Sequence, residues 1–330
     1  MRKLASVQRI KEISMIKGAD SIEVASILGW KVVVKKSEFK VGDLVVYCEI
    51  DSVLPEGRPE FEFLRNKKFR IKTIKLRNQV SQGIAFPLNI LPKNEYKEGE
   101  DVTDIIGVTK YEVPIPACLS GEVKGSFPGY VYKTDETRIQ AEPNLIEEFK
   151  GRKVYISQKI DGTSGTFCNF DDEIDVCSRN LSLIEKEDNT FWKLFHKYEM
   201  KKIFESVGNF AIQGEVAGPG IQKNRLCLKD HELFVFNIFN IDKSKYLDFK
   251  DMIDFCKKWN LTHVPILESD IEFNYTLDEL LKLAQGKYEG TKNDAEGIVI
   301  RPIIETYSKT LNSRLSVKVI NNKFLLKNGE

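Results

Sequence analysis

The chain has 330 residues, 42% of them apolar and 30% charged, and a formal net charge of +1, which fits a globular protein of about two domains and excludes disordered or fibrous chains. No apolar run reaches the roughly 20 residues that cross a bilayer, and the opening MRKLASVQRI lacks the apolar stretch and cleavage site of a signal peptide. Six scattered cysteines (Cys48, Cys118, Cys168, Cys177, Cys227, Cys256) and three distant histidines (His196, His231, His263) argue against structural zinc and for reduced thiols in an intracellular protein.

In chain order, residues 1–105 read as all-β. IEVASILGWKVVVKK and DLVVYCEIDSVLP are strand-like segments separated by the turn-rich SEFKVGD, and RIKTIKLR and QGIAFPLNIL follow as two more. Short strands punctuated by Gly, Pro and Asp predict a small Greek-key barrel. An OB-fold fits that length and offers a sheet face suited to single strands. GADSIEVASILGWKVVV and FKVGDLVVYCEID also resemble OB modules of RNA-associated proteins. Charge is uneven here: residues 1–100 hold nineteen Lys or Arg against thirteen Asp or Glu. The densest run, RNKKFRIKTIKLR at 65–77, carries seven cations (Arg65, Lys67, Lys68, Arg70, Lys72, Lys75, Arg77) and no acid. Such a stripe is either a docking face for a polyanion or an ordinary solvated face.

Residues 106–141, rich in Pro, Gly and polar side chains, read as a connector. NLIEEFKG predicts a helix closed by Gly151, followed by strands at 153–159, 164–170 and 173–178 and a helical stretch around NTFWKLFHKYEMKKIFESV. Strands near 209–217 and 232–240, helices near 249–259 and 277–285, and strands near 296–302 and 315–320 complete a domain at 142–330. Strands and helices without regular alternation predict an α+β class, with antiparallel sheets flanked by helices.

The chemistry begins at VYISQKIDGTSGTF, where a β-branched strand ends in Lys159. Alone, that lysine is a solvated strand end or a nucleophile. Further charges sit in or beside apolar strands: Arg179 in SRN, Glu215 in FAIQGEVAG, Glu296 in AEGIVIRP and Lys318 in RLSVKVIN, while LFVFNIFN carries rings. Charges in apolar strands are costly unless paired or ligated, so these strands predict a shared polar pocket.

KIDG, SRN, GEVAG, VFNI, EGIVIR and SVKVIN, in this order, resemble the collinear motifs of covalent nucleotidyltransferases, the ligases and mRNA capping enzymes. With the N-terminal module included, the chain resembles ATP-dependent RNA ligases of the Deinococcus–Naegleria type, which place an OB domain ahead of the nucleotidyltransferase domain. The resemblance implies that Lys159 takes AMP from ATP, with Gln158 and Gly162 beside it. Glu296 would bind Mg2+ or Mn2+, and Asp161 would fix the ribose or orient metal-bound water. Arg179 and Arg138 would grip phosphate, Glu215 the ribose, and Phe236 would stack on adenine, with Phe234 and Phe239 as competing rings. Lys318, with the metal, is expected to lower the proton affinity of Lys159 and to offset phosphate charge. Gly162 and the small residues after it are expected to leave room for the nucleotide. In the fifth motif Ser316 stands where Lys-x-Lys often places a cation.

Twelve residues follow Lys318, leaving no room there for the further OB domain of DNA ligases and capping enzymes, so the expectation is an RNA ligase. It would join 3′-OH and 5′-phosphate ends, as a monomer acting on nicks in duplexes with RNA on the 3′-OH side, in the cytoplasm or nucleus. A DNA ligase, a capping-type transferase, or an inactive nucleic-acid-binding module are the other readings.

Overall fold

The computed structural model describes residues 3–111 and 122–328. Part of the expected connector, 112–121 with Cys118, lies outside the described residues. The chain forms two compact units. One gathers the described parts of Met1–Pro114, Thr137–Asn144 and Asn322–Glu330, and the other Ile115–Glu136 and Leu145–Asn321.

Alternating burial marks the edge of the first unit's sheet, where Trp30, Val32 and Val34 are buried and Lys31, Val33 and Lys35 are not, as a half-buried strand requires. Its five strands lie in the order Trp30–Lys35, Ile22–Ile27, Ala5–Met15, Leu44–Cys48, Ile84–Pro87, each antiparallel to its neighbour. The central strand, Ala5–Met15, was not foreseen from the sequence. Its first half pairs with Leu44–Cys48 and its second half with Ile22–Ile27, across an irregularity between Ile10 and Glu12. Such a handover curls a sheet.

The basic segment differs from its expected strand. A 3-10 helix spans Pro59–Lys67, and only Ile74–Leu76 is extended, in a hairpin with Gln79–Ser81. Lys68 and Phe69 both take positive φ, 51° and 56°, which a strand cannot accommodate. The rings of Phe61 and Phe69 are buried and anchor this irregular path.

In the second unit one sheet runs in the order Val123–Ser126, Leu181–Leu183, Glu173–Cys177, Thr163–Phe170, Phe210–Ala217, Glu232–Asn240, Lys245–Tyr246. Helices Thr190–Lys197, Met200–Val207 and Phe249–Lys258 cover one face, packing Trp192, Phe195, Ile203, Phe204 and Met252 against Phe167, Ile212, Val216 and Val235. The single helical stretch expected at 189–207 is two helices, because Glu199 takes a left-handed φ of 47°. A second sheet orders Val317–Ile320, Gly297–Pro302, Lys153–Lys159 and the unforeseen strand Ile266–Glu272. No helix among the described residues is long and apolar enough to cross a membrane.

Candidate active site

Strand register brings the predicted residues together before any side chain is considered. Lys159, the last residue of its strand, pairs with Gly297, while Ser157 pairs with Val299 and Val299 with Lys318. Paired residues share a face and alternate residues repeat it, so Lys159, Val299 and Lys318 lie on one face of this sheet. A side chain at Gly297 would put its Cβ 2.1 Å from the Val319 carbonyl oxygen, so only glycine lets the strands close at this point.

Three carboxylates gather around the lysine. Lys159 Nζ donates to Glu296 Oε2 at 2.8 Å. Burial alone would favour the neutral amine, but Glu296, Glu215 and Asp161 outweigh it and raise the Lys159 pKa. The protein's own groups thus hold the proton on Lys159, against the direction in which Lys318 and a bound metal ion are expected to act. Lys318 shares the sheet face, yet the carboxylates dominate at Lys159. Glu215 shows the crowding from the other side: burial, with Glu296 and Asp161 adding to it, pushes its carboxyl up to about 7 against the pull of Lys159 and Arg179. Asp161 is raised as well, by burial and by Glu296, although Arg225 opposes this from 2.6 Å.

Hard oxygen donors with surplus negative charge are what Mg2+ or Mn2+ prefers. Among the described residues no three Asp, Glu, His or Cys side chains form a group that could by itself hold a metal ion. The donor set therefore fits a cation held by one or two carboxylates and completed by water and phosphate oxygens.

The other predicted residues fall into place unequally. Gln158 is buried, and its amide donates to the Lys287 carbonyl at 3.0 Å. A Cβ at Gly162 would lie 2.4 Å from the Val216 carbonyl oxygen. That space belongs to the neighbouring strand rather than to a nucleotide, so packing of the turn sets the glycine. Arg179 sits on the turn between Glu173–Cys177 and Leu181–Leu183, pairs with Asp135 at 2.5 Å and acts electrostatically on Glu215. Phe236 is half-buried beside Ile160, Tyr288 and Phe234, whereas Phe239 is buried in a separate cluster with Cys168 and Ala211. Of the competing rings, only Phe234 shares the surroundings of Phe236.

Ser316, the departure in the fifth motif, is buried and accepts a hydrogen bond from Arg301 Nε at 2.9 Å. Arg138 lies in the first unit, where it pairs with Asp51 at 2.7 Å. In the basic segment Arg65 pairs with Glu62, and Arg70 lies 3.6 Å above the Tyr111 ring. Lys67, Lys68, Lys75 and Arg77 are exposed, and Lys72 is half-buried.

Sequence reasoning missed Arg225, Arg301 and Tyr288. Arg301 ends a recognised motif, so its charge in an apolar strand was a usable signal. Arg225 and Tyr288 sit in loops, where no periodicity marks them.

A lysine kept charged at a strand end, with hard anionic donors around it and a ring nearby, fits the class of covalent nucleotidyltransferases. Comparison with known proteins carries the assignment further. A family profile described as an OB-fold domain matches residues 4–88, and one described as RNA ligase matches residues 152–320. The RNA ligase of Naegleria gruberi, solved with pyrophosphate, superposes with a TM-score of 0.89 at 37% identity, covering 98% of this chain and 98% of that one. A variant of that ligase with AMP and manganese gives 0.89 and 37%, and one with ATP and manganese gives 0.88 and 36%, each covering 98% of both chains. The chain belongs to the RNA ligase family, with an N-terminal OB-fold and a C-terminal α+β nucleotidyltransferase domain.

Proposed function

We propose that this chain uses ATP to seal RNA 3′-OH and 5′-phosphate ends in three steps through a lysine–AMP intermediate. The observation that carries the reading is the Lys159–Glu296 contact at 2.8 Å, between the end of one strand and the residue that precedes its neighbour, in a pocket that also holds Glu215 and Asp161.

In the first step the Lys159 amine, having lost its proton, attacks the α-phosphorus of ATP. A P–N bond forms, the bond to the β-phosphate oxygen breaks, and pyrophosphate leaves. In the second, a 5′-phosphate oxygen of RNA attacks the same phosphorus, and the P–N bond breaks back to the lysine. In the third, the 3′-OH attacks the 5′-phosphate and AMP departs. Splitting the reaction this way is covalent catalysis. Glu296 and Asp161 would hold Mg2+ or Mn2+, whose charge offsets the carboxylates that keep Lys159 protonated and stabilises the phosphates. Lys318 faces the same phosphates, Arg179 grips them, Glu215 takes the ribose hydroxyls, and Phe236 stacks on adenine.

The substrate is a nick in a duplex with RNA on the 3′-OH side, gripped by the exposed cations of 65–77. The protein works as an intracellular monomer. Manganese, ATP and AMP in complexes of the Naegleria gruberi enzyme support the cofactors. Labelled ATP and GTP offered in parallel, followed by nicks with RNA or DNA on each side, test the assignment. ATP use and sealing only with RNA at the 3′-OH side are expected. GTP use, or equal sealing of all-DNA nicks, would contradict it.

A further inference from the structure

A buried phenol ties the nucleophile to the metal-binding carboxylate. Tyr288 lies in the loop between helix Leu277–Leu283 and strand Gly297–Pro302, and is 2% exposed. Its hydroxyl donates to the carbonyl oxygen of Lys159 at 3.0 Å. It accepts from the backbone N–H of Asp161 at 2.8 Å and from that of Glu296 at 3.2 Å. One proton given and two accepted is the full capacity of a hydroxyl. The three partners are the backbones of the nucleophile, of the aspartate two residues on, and of the carboxylate that touches the lysine.

The ring is wedged among Ile160, Ala217, Val264 and Ala295. The loop behind it is closed on itself, with Tyr288 N–H donating to the Asn293 carbonyl at 3.1 Å and Ala295 N–H to that of Gly286 at 3.0 Å. The hydroxyl therefore sits on a fixed arm. With two backbone N–H groups already donating to it, the hydroxyl oxygen leaves its own proton for the Lys159 carbonyl. A strand end is where a ladder stops holding the backbone; past Lys159 its partner strand offers nothing more, and Tyr288 takes over.

We propose that Tyr288 is a positioning residue for lysine adenylylation: its hydroxyl fixes the 159–161 turn and the start of Glu296 as one piece, which sets the nucleophile against the carboxylate. This rests on the function proposed above. Displacing a reacting group by about 1 Å costs on the order of 100-fold in rate. Without the hydroxyl the turn and the carboxylate drift separately, while the ring and the nucleotide pocket stay.

Tyr288→Phe keeps the ring and removes only the hydroxyl. The experiment measures single-turnover adenylylation by ATP, the ATP dependence of that rate, sealing of a pre-adenylylated nick, and thermal unfolding. Sealing of pre-adenylylated ends does not use Lys159 as a nucleophile, so it separates positioning from general damage. The maximal adenylylation rate is expected to fall at least about tenfold, with the ATP half-saturation and the pre-adenylylated sealing rate within about threefold of wild type. Adenylylation within about twofold of wild type overturns the proposal, and so does an equal loss of both activities. Amide exchange in the unaltered chain supplies a second measurement that does not depend on the variant folding. Slow exchange of the Asp161 and Glu296 N–H groups is expected, and fast exchange at either contradicts the bonds. Failure of the wild-type chain to form an adduct would instead sink the ligase reading itself.

Discussion

Arg301 shows how much one side chain holds in place around the pocket. Its Nη1 donates to the Phe236 carbonyl at 2.7 Å, its Nη2 pairs with Glu136 at 2.7 Å, and its Nε holds Ser316. The guanidinium thus fastens the strand carrying the proposed stacking ring to the sheet carrying Lys159. Burial alone would push the Glu136 carboxyl up, but Arg301 and Arg314 overrule it and hold it below the usual range. A depressed carboxyl contributes stability above its unfolded pKa, and that stability is lost as pH falls through its folded value. Arg301→Met is expected to cost about 3–5 kcal/mol at neutral pH, because it leaves a buried carboxylate short of its partner. The penalty should shrink as acid protonates Glu136. Urea unfolding at several pH values checks this, and a penalty that does not change with pH would contradict it. The same contact explains why Ser316 offers no second phosphate cation: a lysine at a position 2% exposed would meet Arg301 rather than solvent. Lys159, Glu215, Glu296 and Lys318 were legible in the sequence because charge in an apolar strand stands out. Arg225 and Tyr288 were not, since their partners Asp161 and Lys159 lie 64 and 129 residues away.

At the level of elements, the turn after the nucleophile strand is built by close approach rather than by hydrogen bonding alone. The Val216 carbonyl oxygen fills the place of a Gly162 Cβ, and the Gly162 carbonyl accepts from Gln222 at 3.2 Å. Gly162→Ala is therefore expected to shift the turn that carries Asp161, costing about 1–3 kcal/mol and slowing adenylylation more than it lowers the melting temperature. Thermal unfolding beside single-turnover kinetics tests this; an unchanged adenylylation rate would count against it. Most strands of the second unit were readable, because short runs rich in β-branched and aromatic residues, such as 153–159 and 232–240, end at turn residues. The Ala5–Met15 strand was not, since no residue after Ile10 in it is buried and its polar second half shows no apolar pattern. RIKTIKLR carried the opposite error. Its alternating charges imitate a full strand, but only Ile74–Leu76 is extended: the positive φ at Lys68 and Phe69 just before the segment and at Arg77 confines the strand to a short hairpin arm.

Across the whole molecule the division of labour is the testable matter. Lys67, Lys68, Lys75 and Arg77 are exposed next to Phe63, Ile74 and Leu76, which are 63%, 46% and 39% exposed. Cations interleaved with exposed apolar side chains suit a nucleic-acid backbone and its bases. Replacing the four cations with alanine is expected to weaken nicked-duplex binding and flatten its salt dependence by up to about 0.9 per lost phosphate contact on a log–log scale. Lysine adenylylation should remain, and binding assays over a salt series beside adduct formation measure both. The central claim is that Lys159 is the nucleophile of an RNA ligase. Labelled ATP with Mg2+ or Mn2+ tests it most directly, run on the wild-type chain and on Lys159→Ala. An acid-labile adduct on wild type that vanishes in the variant is the predicted result. No adduct on wild type, or one that persists in Lys159→Ala, would contradict it.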